Sequence, residues 1–425
     1  MTLIEKINNQ KMDRPNELLY NLVRVVPEWF KLRYHPEYSY DFDRKDIEGK
    51  QILVLAAHPS FNEFYYVLKG MPWRRFNAVI GYHQIFRKGL FNIFLKLGVI
   101  PKKHYEKDLS AVRQMLRAAD KGLDILLFPE GVFSIGGFNH PINPGTISLV
   151  KKVGATVVLC KSRGSYCAHP TWKTSTAQGR QEFHFEILFT EEEVKNYSKE
   201  ELYDKLLENF RYNDLDWNYE EHNAYEWHGK QAEGLEKIAY RCPKCGRELT
   251  QTTDGDEIRC TACGNRIRMD EFLMLHPADD DSICPYRHPG EWVLDERVKV
   301  REEIQDPDFS VTYDCEMMDM HIDKTHHNPY YVCGSGTITI DREKIRYVGT
   351  DHGEDVDLSF EITKLPSFKY EQLCRNVFYY GSKYYSFRPL EDKALKYMMI
   401  VEEIHNLSDA AWDKACRDAY DYYIK

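Results

Sequence analysis

A histidine followed five residues later by a carboxylate, at the end of an apolar run, is the first feature of this sequence that could do chemistry. Gln51 to Ala57 reads Gln-Ile-Leu-Val-Leu-Ala-Ala, and His58-Pro59-Ser60-Phe61-Asn62-Glu63 follows. An imidazole at a strand end that meets a carboxylate from the next helix is oriented and made more basic by it. It can then remove the proton of a hydroxyl as a general base. Ser60-x-x-Glu63 also fits a capping box, in which Glu63 only satisfies the first turn of its helix. A second apolar run, Leu126-Leu127-Phe128, ends in Pro129-Glu130-Gly131 about seventy residues on. It sets another carboxylate at a strand end, beside a glycine that lets backbone approach closely.

The third chemical feature is a cysteine module. Cys242-Pro-Lys-Cys245-Gly246 and Cys260-Thr-Ala-Cys263-Gly264 are fourteen residues apart, the spacing of a zinc ribbon. Four thiolates close a tetrahedral zinc site and leave no position for substrate, so the expected zinc is structural. Arg241, Lys244, Arg247, Arg259, Arg266 and Arg268 give this module local charge, but Asp254, Asp256 and Glu257 dilute it and no aromatic interleaves the knuckles. The expected role is that of a spacer or protein contact, with no nucleic-acid partner.

Strands and helices must position these groups. Strand-length apolar runs recur at Ala78 to Tyr82, Asp124 to Phe128 and Thr156 to Cys160. Helical patterns separate them: Leu109 to Lys121, capped by Asp108 or Ser110, and Ile147 to Val153 after a Pro-Gly break. This alternation predicts an α/β layered domain with its chemistry in loops at strand ends. Glu200 to Phe210 reads as a closing amphipathic helix. Past the cysteines, Gly336 to Ile340, Lys344 to Val348, Asp357 to Thr363 and Val377 to Phe387 read as short strands. A terminal helix follows, with Ala394, Met398, Val401 and Ile404 on one face. Three units are expected: 1–235, 236–275 and 276–425.

Composition bounds the function. With 43% hydrophobic and 29% charged residues over 425, the chain is a folded globular protein. Its 57 Lys+Arg against 67 Asp+Glu, a net charge of -10, disfavours general nucleic-acid binding. The first residues lack the layout of a signal peptide, no apolar stretch reaches the roughly 18 residues that span a bilayer, and the paired cysteines suit a reducing compartment. The expectation is a cytoplasmic protein.

Taken together and in this order, the His58 and Phe128 segments resemble the glycerolipid acyltransferase family, whose lysophosphatidic acid acyltransferases carry His-x4-Asp followed by Phe-Pro-Glu-Gly. The resemblance covers roughly residues 15 to 210, including an amphipathic segment at Leu18 to Leu32. It implies the acyltransferase αβα layer fold and a 1-acylglycerol-3-phosphate O-acyltransferase-like activity. An acyl thioester, acyl-CoA or acyl carrier protein, would be the co-substrate, and a lysophospholipid or glycerol-phosphate-like hydroxyl the acceptor. By resemblance His58 is the base, Glu63 orients it, and Phe128, Pro129, Glu130 and Gly131 shape the acceptor site. Three positions depart from the family: Glu63 stands for Asp, Phe133 stands for the arginine after Phe-Pro-Glu-Gly, and His104 stands for the arginine six residues after Gly98. Those arginines are thought to hold the acceptor phosphate, a task that favours a bidentate guanidinium. Lys102, Lys103 and His104 are the expected substitutes.

Membrane contact follows from the implied substrates. Phe86 to Lys103 combines Phe91, Ile93, Phe94, Leu95 and Leu97 with Arg87, Lys88, Lys96, Lys102 and Lys103, which suits an interfacial segment on the inner face of a membrane. The unit from about Thr312 to Leu407 resembles a pleckstrin-homology-like barrel in its strand-and-helix order. Its Arg342, Lys344, Arg346, Lys364 and Lys369 either meet lipid headgroups or form a solvated face. His326, His327 and Cys160, Cys167, Cys284, Cys315, Cys333, Cys374 and Cys416 show no metal-ligand spacing and are read as packing residues. Loss of both family arginines also fits a second reading, a non-catalytic lipid- or protein-binding adaptor built on a degenerate acyltransferase fold.

Overall fold

The computed structural model describes residues 3–29, 36–87, 89–105, 108–321, 330–371, 375–381, 383–391 and 393–424. The expected apolar runs join one seven-stranded sheet: β1 (Glu37–Tyr40), β2 (Ile52–Ala56), β3 (Phe76–Gly81), β4 (Ile100–Lys102), β5 (Asp124–Leu127), β6 (Thr156–Arg163) and β7 (Glu182–Phe189). The order is β1-β7-β6-β2-β5-β3-β4. Only β6 and β7 pair antiparallel; the other neighbours run parallel. Central β2 is buried along its whole length because both faces are covered, which is why it reads as an unbroken apolar run. Leu53 and Leu55 pack with the helices Leu109–Asp120, Gly145–Val153 and Lys199–Phe210. Ile52, Val54 and Ala56 pack on the other side with Tyr20, Tyr66 and Val67 from the helices Glu17–Trp29 and Glu63–Gly70. The Asp108 carboxylate caps the first of these helices, accepting from Ser110 N at 3.1 Å and Ala111 N at 3.0 Å.

A four-stranded antiparallel sheet follows: β8 (Gln251–Asp254), β9 (Glu257–Cys260), β10 (Arg266–Met269) and β11 (Leu275–Pro277). It is less of a spacer than its sequence suggested. Ile258, Ile267 and Met269 belong to one continuous core with Phe138, Tyr166 and Trp172 before it and with the C-terminal sheet after it. The helix Pro289–Glu303 clamps the module: Glu296 accepts from Arg241 N at 3.0 Å and Trp292 Nε1 donates to Arg241 O at 3.0 Å.

The last sheet is antiparallel throughout, with β12 (Ser310–Met320), β13 (Tyr330–Asp341), β14 (Lys344–Asp351), β15 (Glu354–Glu361), β16 (Lys369–Glu371), β17 (Arg375–Tyr380) and β18 (Lys383–Pro389). Its order is β15-β14-β13-β12-β18-β17-β16. Three expectations change here. Val377 to Phe387 is a hairpin of two strands, turned at Gly381 with φ 63°. β12 alternates Tyr313, Cys315 and Met317 inward and lies outside the segments expected to be strands. The terminal helix Ala394–Asn406 is buried on every side instead of on one face. A second layer lies over it, so its charges are paired: Arg297 reaches Glu402 and Glu403 at 2.8 Å each, and Lys396 reaches Glu248 at 2.7 Å.

No helix among the described residues is long and apolar enough to cross a membrane. The stretch Phe86 to Lys103 does not stand free. Phe86, Phe91 and Leu97 are buried, and Phe86 and Phe91 pack with Met320, Tyr330 and Tyr384 of the last sheet. Phe86 and Phe91 therefore help join the two large sheets, while Ile93 and Leu97 pack in the core of the first; Lys88 lies outside the described residues.

Candidate active site

His58 follows β2 at the centre of the first sheet, and the next helix begins at Glu63. The turn brings His58 Nδ1 to 3.3 Å from Glu63 Oε2. Glu63 is fully buried, and its other oxygen accepts from Ser60 Oγ at 2.8 Å. The capping box therefore does not form: Asn62 holds the N-cap position, and the Ser60–Glu63 pair faces the imidazole. With Nδ1 committed to Glu63, the ring presents Nε2 as its second nitrogen.

Two aromatic rings hold the imidazole. Phe128 stacks on it at 4.3 Å between centroids, and Phe133 meets it edge-on at 4.4 Å. Phe133 thus occupies the neighbourhood where the family arginine was expected. Burial among these rings pushes the His58 pKa below the ordinary histidine value, and the hydrogen bond and charge of Glu63 oppose that shift only in part. The ring is neutral at neutral pH, which is the form a base requires.

The Pro129-Glu130-Gly131 turn braces His58 from behind. Glu130 accepts from the His58 backbone N–H at 2.8 Å, from His140 N at 2.7 Å and from Tyr212 OH at 2.9 Å. Burial raises its pKa to about 8 against those three donors. Gly131 has φ 72°, and its N–H returns to Phe128 O at 3.1 Å, so the turn is closed by backbone. Glu130 is 2% exposed and engaged on both oxygens, so it fixes the His58 backbone from a position behind the ring.

Of the expected acceptor residues on the other strand end, His104 comes closest to this turn. A Cβ built on Gly131 would lie 3.8 Å from His104 Nδ1, and one on Gly81 would lie 2.8 Å from His104 Nε2. The ring fills the space two glycines leave. Lys102 Nζ donates to Lys103 O at 3.0 Å. Lys103 Nζ lies between the Tyr82 and Tyr379 rings at 5.7 and 5.5 Å, so it bridges the two large sheets.

The last sheet adds residues that no local pattern links to His58. Lys369, named above among candidates for a solvated face, is buried at the junction instead, with Nζ 3.4 Å from Glu371 Oε1. Arg375 NH2 pairs with Glu371 Oε2 at 3.0 Å, and Glu371 Oε1 lies 3.8 Å from His83 Nε2. The charge of Lys369 bears on the rings of His58, His83, His104 and His140 alike. A second link runs from Glu130 through His140, whose Nδ1 lies 2.9 Å from Tyr420 OH, to Arg297, which sits 3.9 Å over the Tyr420 ring. Arg342 and Lys344 resolve into no site, while Arg346 and Lys364 pair with Asp357 and Glu361 on the surface.

The four cysteines of the ribbon converge. Cys242 and Cys263 sulfurs lie 3.7 Å apart, Cys245 and Cys260 sulfurs 3.8 Å apart, and all four fall within 4.8 Å of one another. Bonds of about 2.3 Å from one zinc to four thiolates require edges of this length. The two knuckles repeat one geometry. Gly246 N donates to Cys242 O at 2.9 Å with φ 71°, and Gly264 N to Cys260 O at 2.9 Å with φ 77°. The residues present fit a structural zinc. Cys333 packs against the core of the last sheet, and strand pairing also brings its sulfur within 4.8 Å of ligand atoms of Asp351 and His352. His326, His327 and Cys374 lie outside the described residues.

Two comparisons with known proteins bear on these units. A zinc-ribbon family model, described as DNA directed RNA polymerase, 7 kDa subunit, matches residues 235–271. Residues 235–271 are therefore a zinc-ribbon segment. Among solved structures, the chain is similar to the 1-acyl-sn-glycerophosphate (LPA) acyltransferase PlsC from Thermotoga maritima. The two are 14% identical, with 45% of this chain and 75% of that chain covered and a TM-score of 0.37.

Proposed function

We propose that the chain is an O-acyltransferase that moves a fatty acyl group from acyl-CoA or acyl carrier protein to a hydroxyl of a lysophospholipid or glycerol-phosphate-like acceptor. Residues 1–235 form the transferase unit, 236–275 the structural ribbon, and 276–425 a pleckstrin-homology-like unit that covers the site. The observation that carries this reading is the His58–Glu63 pair at 3.3 Å, locked by Ser60 and wedged between Phe128 and Phe133. Nε2 of His58 takes the acceptor's hydroxyl proton as its oxygen attacks the thioester carbonyl. The tetrahedral intermediate then expels the thiolate, which takes the proton back from the imidazolium and leaves as a free thiol. Glu63 holds the ring and stabilises its transient charge. The exposed Leu18, Leu22 and Val25, one stripe of the helix Glu17–Trp29, supply the face that would rest on the lipid surface carrying the acceptor.

The test is thiol release from a long-chain acyl thioester across a panel of lysophospholipids and glycerol phosphate, with mass spectrometry of the products. Wild type releases thiol only with its acceptor, and His58→Ala loses about 100-fold or more while keeping its melting temperature and zinc. Unchanged transfer by that variant would sink the mechanism. One observation favours the adaptor reading: Phe133 replaces a phosphate-holding arginine beside His58. Liposome binding without thioester turnover, from folded and zinc-loaded protein, would decide for it.

A further inference from the structure

The junction between the two large sheets holds more buried positive charge than it neutralises. Lys369 and Arg375 are 8% and 6% exposed; among the described residues a single carboxylate, Glu371, pairs with both, and the Arg375 guanidinium also lies 3.8 Å over the Tyr330 ring. His83 adds no charge at neutral pH, because burial brings its pKa down to about 4. Arg375 Nε and His104 Nε2 are buried hydrogen-bonding atoms without a partner. Buried cations carry a large desolvation cost and persist where a counter-charge meets them. A carboxylate that faces two cations leaves one charge for a ligand to satisfy.

The position of this surplus is informative. β16 and β17 set Lys369 and Arg375 around Glu371, which lies 3.8 Å from His83, whose ring is 5.7 Å from that of His104. His104 in turn rests against Gly131, next to the Glu130 that holds His58. The contacts thus run from the cations through Glu371, His83 and His104 to the turn that holds the His58 backbone, and the charge of Lys369 is felt at the His58 ring. The transferase sheet lacks an arginine at the two positions where its motifs would place one, Phe133 and His104.

We propose that Lys369 and Arg375 of the last sheet, together with His104, form a phosphate-binding site beside His58 that holds the phosphate ester of the acceptor. The inference rests on the acyltransferase reading and adds to it that the acceptor is anionic and that its recognition belongs to a different sheet from the base. Guanidinium and ammonium groups offer the donors that a phosphate accepts, and Arg375 can present two at once. Glu371 keeps the pair in place when no phosphate is bound and competes with it when one arrives.

The experiment is calorimetric titration of the full, zinc-loaded chain with glycerol 3-phosphate and, separately, with coenzyme A, which needs no turnover. Wild type binds glycerol 3-phosphate. Lys369→Gln and Arg375→Gln each weaken it about tenfold or more, as loss of a charged hydrogen bond predicts, and leave coenzyme A binding unchanged. Glu371→Gln acts in the opposite direction and tightens binding, which a merely structural role for the cluster would not produce. Arg375→Lys restores part of the affinity. No binding by wild type, or equal binding by the Gln variants, overturns the proposal. A loss confined to coenzyme A would assign the cluster to the donor's phosphates and overturn it as well. Binding that follows this pattern in a protein that releases no thiol would leave the phosphate site standing and refute the acyltransferase reading instead.

Discussion

The zinc site and the His58 site both begin as tight turns at strand ends, but only the first is completed by them. Each zinc knuckle closes within five residues, through one backbone hydrogen bond and one glycine at positive φ, and the two knuckles meet across a β8–β9 hairpin. At His58 the turn supplies only the imidazole and its carboxylate. The rings that hold the imidazole, the brace behind it and the cations beside it come from Phe128, Phe133, Glu130, Tyr212 and Lys369. A closed metal site needs a fixed set of identical ligands, which a short repeat can carry. A site that surrounds one imidazole with apolar rings on one side and paired carboxyl groups on another needs unlike environments within a few ångströms, and no single turn provides them.

Breaking the local site gives the largest effect. Cys260→Ser removes one of four thiolates, and zinc in such modules contributes roughly 10 to 16 kcal/mol of apparent folding energy. Because Ile258 and Ile267 share a core with the last sheet, the loss spreads past the ribbon. Thermal unfolding followed by tryptophan fluorescence should show the whole chain destabilised and zinc content near zero. If only the ribbon unfolded and acyl transfer persisted, the module would be an appendage.

The assembled site is best broken from a distance. Arg297→Met leaves Glu402 and part of Glu403 without their buried partner, a change that costs about 3 to 5 kcal/mol. It also frees the Tyr420 ring that meets His140, and His140 N is one of the three donors on Glu130. Denaturant unfolding should show the loss, and acyl transfer in native buffer should fall although no motif residue changed. Full activity at reduced stability would mean that the last sheet covers the base without shaping it.

These two regions also differ in what a sequence can disclose. The cysteines announce themselves by spacing, and His58, Glu63 and the Phe128–Gly131 turn lie at the ends of recognisable apolar runs. Lys369 and Arg375 carry no such signal: they stand in two adjacent short strands, β16 and β17, some three hundred residues from His58, held at the edge of the last sheet through β18 and β12. The helix Ala394–Asn406 is misread for a related reason. Its Lys396, Glu402 and Glu403 look solvent-facing until Arg297 and Glu248 arrive from other elements to pair with them. The Phe86 to Lys103 stretch has the composition of a lipid-facing segment, and two of its aromatic rings, Phe86 and Phe91, pack with Met320, Tyr330 and Tyr384. In each case the local pattern gives the chemistry of a surface correctly and leaves open which surface it meets.

Glu130 joins the two sides, so its substitution sharpens the comparison further. Three donors converge on its carboxylate, two of them backbone N–H groups that cannot turn away. Glu130→Gln keeps the shape but points an amide NH2 at one of those donors. Leaving that buried donor unpaired costs about 1 to 3 kcal/mol. The raised folded-state pKa, about 8, adds a pH dependence whose sign is fixed. Stability from the protonated form is complete below the ordinary carboxyl value and declines as pH rises toward 8, and Glu130→Gln should flatten that decline. A variant as stable as wild type, with an unchanged profile, would show that the brace is incidental.

The smallest effect isolates the local pair itself. Burial lowers the His58 pKa and Glu63 raises it again in part, so the working ring is neutral at neutral pH and activity falls only as acid protonates it. Glu63→Gln removes the counter-charge but keeps a group able to accept from Nδ1–H. The acid limb of kcat/KM should therefore move to lower pH, while the plateau falls about tenfold through loss of the stabilised imidazolium. Lys369→Gln acts on the same ring from the far side and should move that limb toward higher pH, because it withdraws a positive charge that disfavours protonation. Opposite displacements from substitutions three hundred residues apart in sequence would place both charges at one imidazole; displacements in the same direction would separate the base from the last sheet.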